Sequence, residues 1–174
     1  MIRQCSDAYI PAIEAIINEA AKAYQGVVPP DCWHEPYMPR HELLAEIAAG
    51  VHFWGWVEDP DLLVGVMGIQ KVHDATLIRH AYVLTAHQRR GIGAALLDTL
   101  VGQASGQLLV GTWAAATWAV RFYERHGFRL VPQAEKDRLL ATYWKISRRQ
   151  QETSVVLAFT GDARCREETV SPAN

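Results

Sequence analysis

The segment Gln88-Arg89-Arg90-Gly91-Ile92-Gly93-Ala94 combines residue types and spacing that suit the binding of an anion. It follows an apolar, strand-like run from Leu77 to Leu84 and opens a helix-like run from Ile92 to Val101. Two glycines at this spacing let the backbone approach a ligand closely. A helix that begins here presents unpaired N–H groups and a partial positive charge, which suits a phosphate. Arg89 and Arg90 add charge nearby. Two familiar phosphate loops are excluded. A Walker loop needs Gly-Lys-Ser/Thr after its first glycine and four spacers, and Gly91 is followed by none of these. A dinucleotide fingerprint needs a third glycine three positions after the second, where this chain has Leu96.

The elements that must hold this segment are legible in the periodicity. Ile2 to Gln4 reads as a short strand, and Asp7 caps a helix through about Tyr24 with Ile10, Ile13, Ile16, Ile17 and Ala20 on one face. Gly26 to Arg40 is a loop rich in proline and aromatics, and His41 to Ala49 a second helix. Val51 to Val57 and Leu62 to Gln70 read as a hairpin around Asp59-Pro60-Asp61, with Ala75 to Leu84 the next strand. A helix from Gly91 to about Ala104, a strand from Leu108 to Trp113 and a short helix from Thr117 to His126 follow; Gly127 ends that helix and Phe128 to Val131 is extended. Ala134 to Ile146 reads as helix and Ser154 to Phe159 as a final strand. The order specifies an α/β sandwich on a mixed sheet. Residues 1–160 are expected to form one domain, and 161–174, polar and mixed in charge, a flexible tail.

A net charge of -2 gives no general attraction to nucleic acid or anionic membrane. No apolar run approaches the ~20 residues of a membrane span, and the N-terminus lacks the apolar stretch of a signal peptide. Cys5, Cys32 and Cys165 are odd in number and widely spaced, which points to a reducing, cytoplasmic setting rather than a disulfide framework. Cys32, His34, Glu35 and His41 match no zinc spacing, so no metal is expected.

The order strand, Gln-x-x-Gly-x-Gly/Ala, helix resembles the acetyl-CoA-binding signature of the GNAT N-acetyltransferases. A second block, Ala119-Val120-Arg121-Phe122-Tyr123-Glu124-Arg125-His126-Gly127-Phe128, roughly 25 residues downstream, is similar to that family's next conserved segment. The resemblance is strongest from Ala75 to Val131 and extends by element order from Ile2 to Phe159. It implies a mostly antiparallel central sheet flanked by helices, here with a helical insertion, Pro132 to Thr153, before the last strand. It also implies acetyl-CoA as co-substrate. Tyr82, Val83 and Leu84 fall where the family's central strand pairs with the pantetheine arm. Gln88, Arg89, Arg90, Gly91, Ile92, Gly93 and Ala94 match its pyrophosphate loop. Many relatives carry an asparagine seven residues before the acid tyrosine; here that position is Ala116, and the adjacent Thr117 is the available replacement contact to the cofactor. Thr85 stands where a proline is frequent.

Acyl transfer from a thioester to an amine needs a proton acceptor for the amine, donors for the tetrahedral oxyanion and a proton for the departing thiolate. Tyr123 matches the family's general acid; the alternative is a core tyrosine, since it shares a helical face with Ala119, Phe122 and His126. A backbone N–H around Val83 is the expected oxyanion donor. Some branches place a glutamate on the central strand, but Ala75 to Gln88 contains no Asp or Glu. His80 is the titratable residue there and is the candidate base, with His73, Glu58, Glu35 or a water chain as alternatives.

By the same resemblance the acceptor cleft lies near Gly26 to Arg40 and the insertion, which offer Trp33, His34, Glu35, Tyr37, Tyr143 and Trp144. Aromatic walls with few carboxylates favour a compact primary amine, with Trp33 and Tyr37 as contacts, although the same rings would serve to pack the loop. A small amino-acid derivative, an amino-bearing xenobiotic of the phosphinothricin type and a protein amine (α-amine or lysine) all remain open, as does an acyl-CoA sensor without turnover. Many relatives dimerise, so a homodimer is the expected assembly if one forms.

Overall fold

The computed structural model describes residues 1–58 and 60–161. Most of the predicted tail, 162–174, therefore lies outside the described residues, as does Asp59 of the hairpin turn.

The chain opens with β1, Ile2–Gln4. The helix expected from Asp7 to Tyr24 is a regular helix, α1 (Ile10–Ala20), between two 3-10 turns. Pro11 sits in its first turn, where a missing N–H breaks no bond. Next come α2 (Arg40–Ala48) and the meander β2 (Val51–Glu58), β3 (Leu62–Val72) and β4 (Ala75–Val83). Then follow α3 (Ile92–Val101), β5 (Gln107–Trp113), α4 (Thr117–Arg125) and β6 (Phe128–Leu130). The insertion holds two helices, α5 (Gln133–Tyr143) and α6 (Arg148–Thr153), before β7 (Ser154–Phe159). The single helix expected from Ala134 to Ile146 stops at Tyr143 because Trp144 turns extended, and Ser147 then starts α6 with a capping box that Gln150 completes.

The seven strands form one sheet in the order β1-β2-β3-β4-β5-β7-β6. Every neighbouring pair is antiparallel except β4 and β5. Alternation along the strands loads both faces. Ile78 and Val110 join Leu96, Leu100, Tyr123 and Phe128 in the core under α3 and α4. Leu77 and Leu109 join Leu139, Leu140 and Val156 under α5. Ile13, Ile16 and Leu43 carry α1 and α2 onto Phe53 and Val66.

The feature that shapes the molecule lies between β4 and β5. They pair only from Ala75↔Gln107 to Ile78↔Val110, although β4 runs on to Val83 and β5 to Trp113. β4 bends at this point. Arg79 pairs with Gly68 and Tyr82 with Val66, so His80 and Ala81 together oppose Met67. That is a β-bulge, which adds twist and leaves a residue unpaired. His80 sits at φ 48, a conformation that costs a non-glycine residue about 1–3 kcal/mol and is held only where packing overrides it.

Candidate active site

The divergence of β4 and β5 opens a cleft of about 1130 Å³ through the sheet. One end is the start of α3. Gly91 adopts φ 78 and caps the helix, and the Ala95 N–H is the one that returns to the Gly91 carbonyl. The amides of Ile92, Gly93 and Ala94 therefore precede the helical ladder and point forward. A Cβ on Gly91 would meet nothing within 4 Å, and one on Gly93 would meet only the Phe122 ring, at 3.6 Å. α3 is seated by a close approach: a Cβ on Gly65 of β3 would lie 2.9 Å from Ile92, so β3 admits the first turn of the helix only because residue 65 lacks a side chain. Gln88, Arg89, Gly91, Ile92, Gly93 and Ala94 all line the cleft. Gln88 is tied back by its amide N–H to the Val83 carbonyl at 3.1 Å.

Tyr123 reaches the cleft from α4. Its ring packs edge-on against Phe122 and Phe128. Burial, with Tyr24 nearby, holds its phenol above the ordinary tyrosine value, so it stays protonated through neutral pH. Tyr82 and Val83 line the same cleft from β4.

His80 lines the cleft from the bulge, its ring stacked on Phe53 at 5.9 Å. Its Nε2 lies 3.3 Å from Oε2 of Glu46, on α2. The same carboxylate oxygen accepts from Arg79 at 2.5 Å, and Arg79 also donates to Gln70 at 2.6 Å. Burial, reinforced by Arg79 and opposed by Glu46, holds His80 below the usual histidine value, so its imidazole is neutral at neutral pH. For Glu46, burial acts upward, but the His80 hydrogen bond and the Arg79 charge outweigh it and keep the carboxyl ionised. Of the other base candidates, Glu58 pairs with Arg90, His73 packs against Tyr143 and Glu35 is exposed; none lines the cleft.

The opposite end of the cleft is aromatic. Tyr37 stacks on Tyr24 at 5.9 Å and on Trp33 at 5.5 Å, and Tyr24 leans on Trp118 at 5.5 Å. Burial pushes the Tyr24 phenol up to about 12. The insertion supplies another wall. Tyr143 donates to Asp74 at 2.6 Å, which ties the end of α5 to the β3–β4 turn. The next residue, Trp144, lies over Gly111 of β5, where an added Cβ would stand 3.4 Å from the indole. Trp144, Lys145 and Ile146 line the cleft.

Four residues assigned from the sequence are placed elsewhere. Leu84 uses both backbone groups within the protein: its N–H donates to Val64, and its carbonyl accepts from His87. Arg90 turns to Glu58 at 2.8 Å. Thr117 is exposed at the start of α4, beside Ala116, which is buried with Val28 and Trp113. Trp33 packs behind Tyr37 and does not line the cleft. Glu46 is the site residue that sequence reasoning missed. Its signal was its four-residue spacing from Glu42, which also lines the cleft, on a predicted helix. Among the described residues, no group of three or more His, Cys, Asp or Glu is positioned to hold a metal ion, and no helix is long and apolar enough to cross a membrane.

Comparison with known proteins places this geometry. The model of the acetyltransferase (GNAT) domain matches residues 49–130. The peptidyl-lysine N-acetyltransferase YiaC of Escherichia coli (strain K12) is 26% identical over 148 residues, 84% of this chain and 95% of that protein. A GNAT-family acetyltransferase from Staphylococcus aureus superposes with TM-score 0.69 at 18% identity, covering 91% of this chain and 97% of the other. The PaiA N-acetyltransferase from Thermoplasma acidophilum, solved in complex with coenzyme A, superposes with TM-score 0.67 at 16% identity, covering 92% and 98%.

Proposed function

This chain belongs to the GNAT family of acetyltransferases, and from that premise we propose that its cleft takes acetyl-CoA and a small primary amine together and transfers the acetyl group directly between them. The observation that carries the reading is the parting of β4 and β5 after Ile78 and Val110, with the α3 amides at one end and aromatic walls at the other. The residues present fit the co-substrate. Space beside Gly91 and Gly93 admits a close anion, and first-turn amides of α3 would hold its pyrophosphate. Unpaired edges of β4 and β5 would take its amide-bearing arm. Acetyl-CoA supplies an activated thioester; the protein supplies position and proton transfer.

His80, neutral at working pH, would take the proton that the amine gives up as its nitrogen bonds to the acetyl carbon. The unpaired backbone at the His80–Ala81 bulge, together with Val83, would face the developing oxyanion. Tyr123 would hold its proton toward the sulfur and share it as the carbon–sulfur bond breaks. Solvent then returns a proton to Tyr123 and removes one from His80, so the net products are amide, free thiol and one proton.

The aromatic walls and Trp144 limit the acceptor end, which favours a compact amine. A peptidyl lysine is the second reading, supported by the 26% identity to a relative of that name over most of both chains. A panel of small primary amines, lysine peptides and free-N-terminus peptides, read by thiol release, tests both. Release driven by small amines supports the proposal, and release by peptides alone replaces it with the second reading. Tight acetyl-CoA binding without release for any amine would make the chain an acyl-CoA sensor.

A further inference from the structure

We infer that Glu46 of α2 is a positioning residue for the acyl-transfer reaction, fixing the tautomer of His80 and stabilising its imidazolium; this rests on the reading of His80 as base. The geometry is specific. Glu46 Oε2 stands 3.3 Å from His80 Nε2, so an ionised carboxylate there draws the neutral ring's hydrogen to Nε2 and leaves Nδ1 as the lone-pair nitrogen. As His80 gains a proton, the adjacent carboxylate offsets the new charge.

Glu46 is itself held by a chain of bonds. Gln70, buried beneath α2, donates to the Ala49 carbonyl at 2.9 Å. Its carbonyl oxygen accepts from Arg79, and Arg79 donates to Glu46. The chain thus starts at the end of α2 and returns to α2 less than one turn earlier, so the helix and the bulged strand are locked in register around His80. Arg79 has a second effect. It keeps Glu46 ionised, so the carboxylate does not compete with His80 for the proton of the amine. Two charged groups act on the His80 ring, Glu46 from α2 and Arg79 on β4; the Phe53 ring of β2 stacks on it.

The two charges pull in opposite directions, which gives a test that loss of packing would not imitate. In Glu46→Gln the His80 pKa should fall; in Arg79→Gln it should rise. The acid limb of kcat against pH should follow, toward lower pH in the first variant and higher pH in the second. Glu46→Gln should also lose about 10- to 100-fold in kcat through the weakened base, with the acetyl-CoA dissociation constant unchanged. Glu46→Asp should lie between it and the wild type. Long-range nitrogen–proton NMR of the histidine rings in the full chain reads tautomer and pKa even in slow variants. An Nε2–H tautomer that is lost in Glu46→Gln supports the inference. If His80→Asn is impaired but neither charge variant moves the limb or the tautomer, Glu46 is only a structural partner and the inference falls alone. If His80→Asn keeps wild-type kcat and pH profile, the base reading falls and takes the inference with it.

Discussion

The Trp113 indole N–H donates to the Tyr37 hydroxyl at 3.1 Å, across 76 positions of chain. This bond ties the free end of β5 to the loop between α1 and α2, one on each side of the cleft. It therefore fixes how wide the aromatic end stands. Trp113→Phe keeps the ring's burial and removes the donor. The expected cost is about 1 kcal/mol, which corresponds to about 2–4 °C in melting temperature for a chain this long. The acceptor KM should rise about fivefold while the acetyl-CoA dissociation constant holds, as the loop loosens. A larger loss of acetyl-CoA affinity than of acceptor affinity would contradict this.

Gly93 gives a volume test of the cradle. Its missing Cβ would lie 3.6 Å from Phe122, an ordinary contact, so Gly93→Ala should bind acetyl-CoA within about threefold of the wild type. Gly93→Leu must either displace Phe122 or fill the cradle, and should weaken binding at least about tenfold. Arg90→Ala, by contrast, removes a half-exposed ion pair with Glu58 and should change affinity by no more than about twofold. Calorimetric titration with acetyl-CoA reads all three, and undiminished binding by the leucine variant would remove the cradle.

Tyr123→Phe should lower kcat by about 100-fold at unchanged acetyl-CoA affinity. The pH dependence has a definite sign. Burial raises the folded-state pKa of Tyr123 above the unfolded value of 10.0. The folded protein therefore favours the protonated phenol; that contribution to stability is complete below about pH 10 and is lost as pH rises above it. No alkaline fall in kcat below about pH 10 should come from this group. A rate profile with an alkaline limb near pH 8 that vanishes in Tyr123→Phe would contradict the assignment.

Trp144 occupies the space that Gly111 leaves open. Trp144→Ala should enlarge the acceptor end and shift preference toward bulkier primary amines, by about tenfold in the ratio of kcat/KM values. It should also cost about 1–3 kcal/mol, because the ring is partly buried against the α5 cluster. An unchanged ranking across an amine panel would show that this wall does not touch the acceptor.

Local signals carried the fold far. Isoleucine spacing marked α1, and strand, glycine pair and helix marked the α3 cradle, because each feature is written within a dozen residues. α6 was also written locally, in Ser147 and Gln150, but at six residues it is too short to show a period. The cleft was less legible. Leu84 reads as part of a strand by composition, yet its amide goes to Val64, a contact twenty positions away that no window contains. Glu46 is harder still. Its helix was evident, but only the return of the sheet from β2 through β4 brings Arg79 and His80 beneath it. Arg89 and Arg90 differ for the same reason: adjacent and chemically alike, they part because Glu58 waits at the end of β2.

β4 and β5 share four paired positions and then separate. Mechanically, the sheet is two plates joined by a short seam: β1 to β4 on one side, β5 to β7 on the other. Across the parted stretch the plates touch only through loops and side chains, such as the Tyr37–Trp113 bond. A strand-like guest in the wedge would splice the plates into one continuous beam, and its departure would restore the joint. In a protein built this way the stiffness of the whole molecule would rise and fall once per turnover.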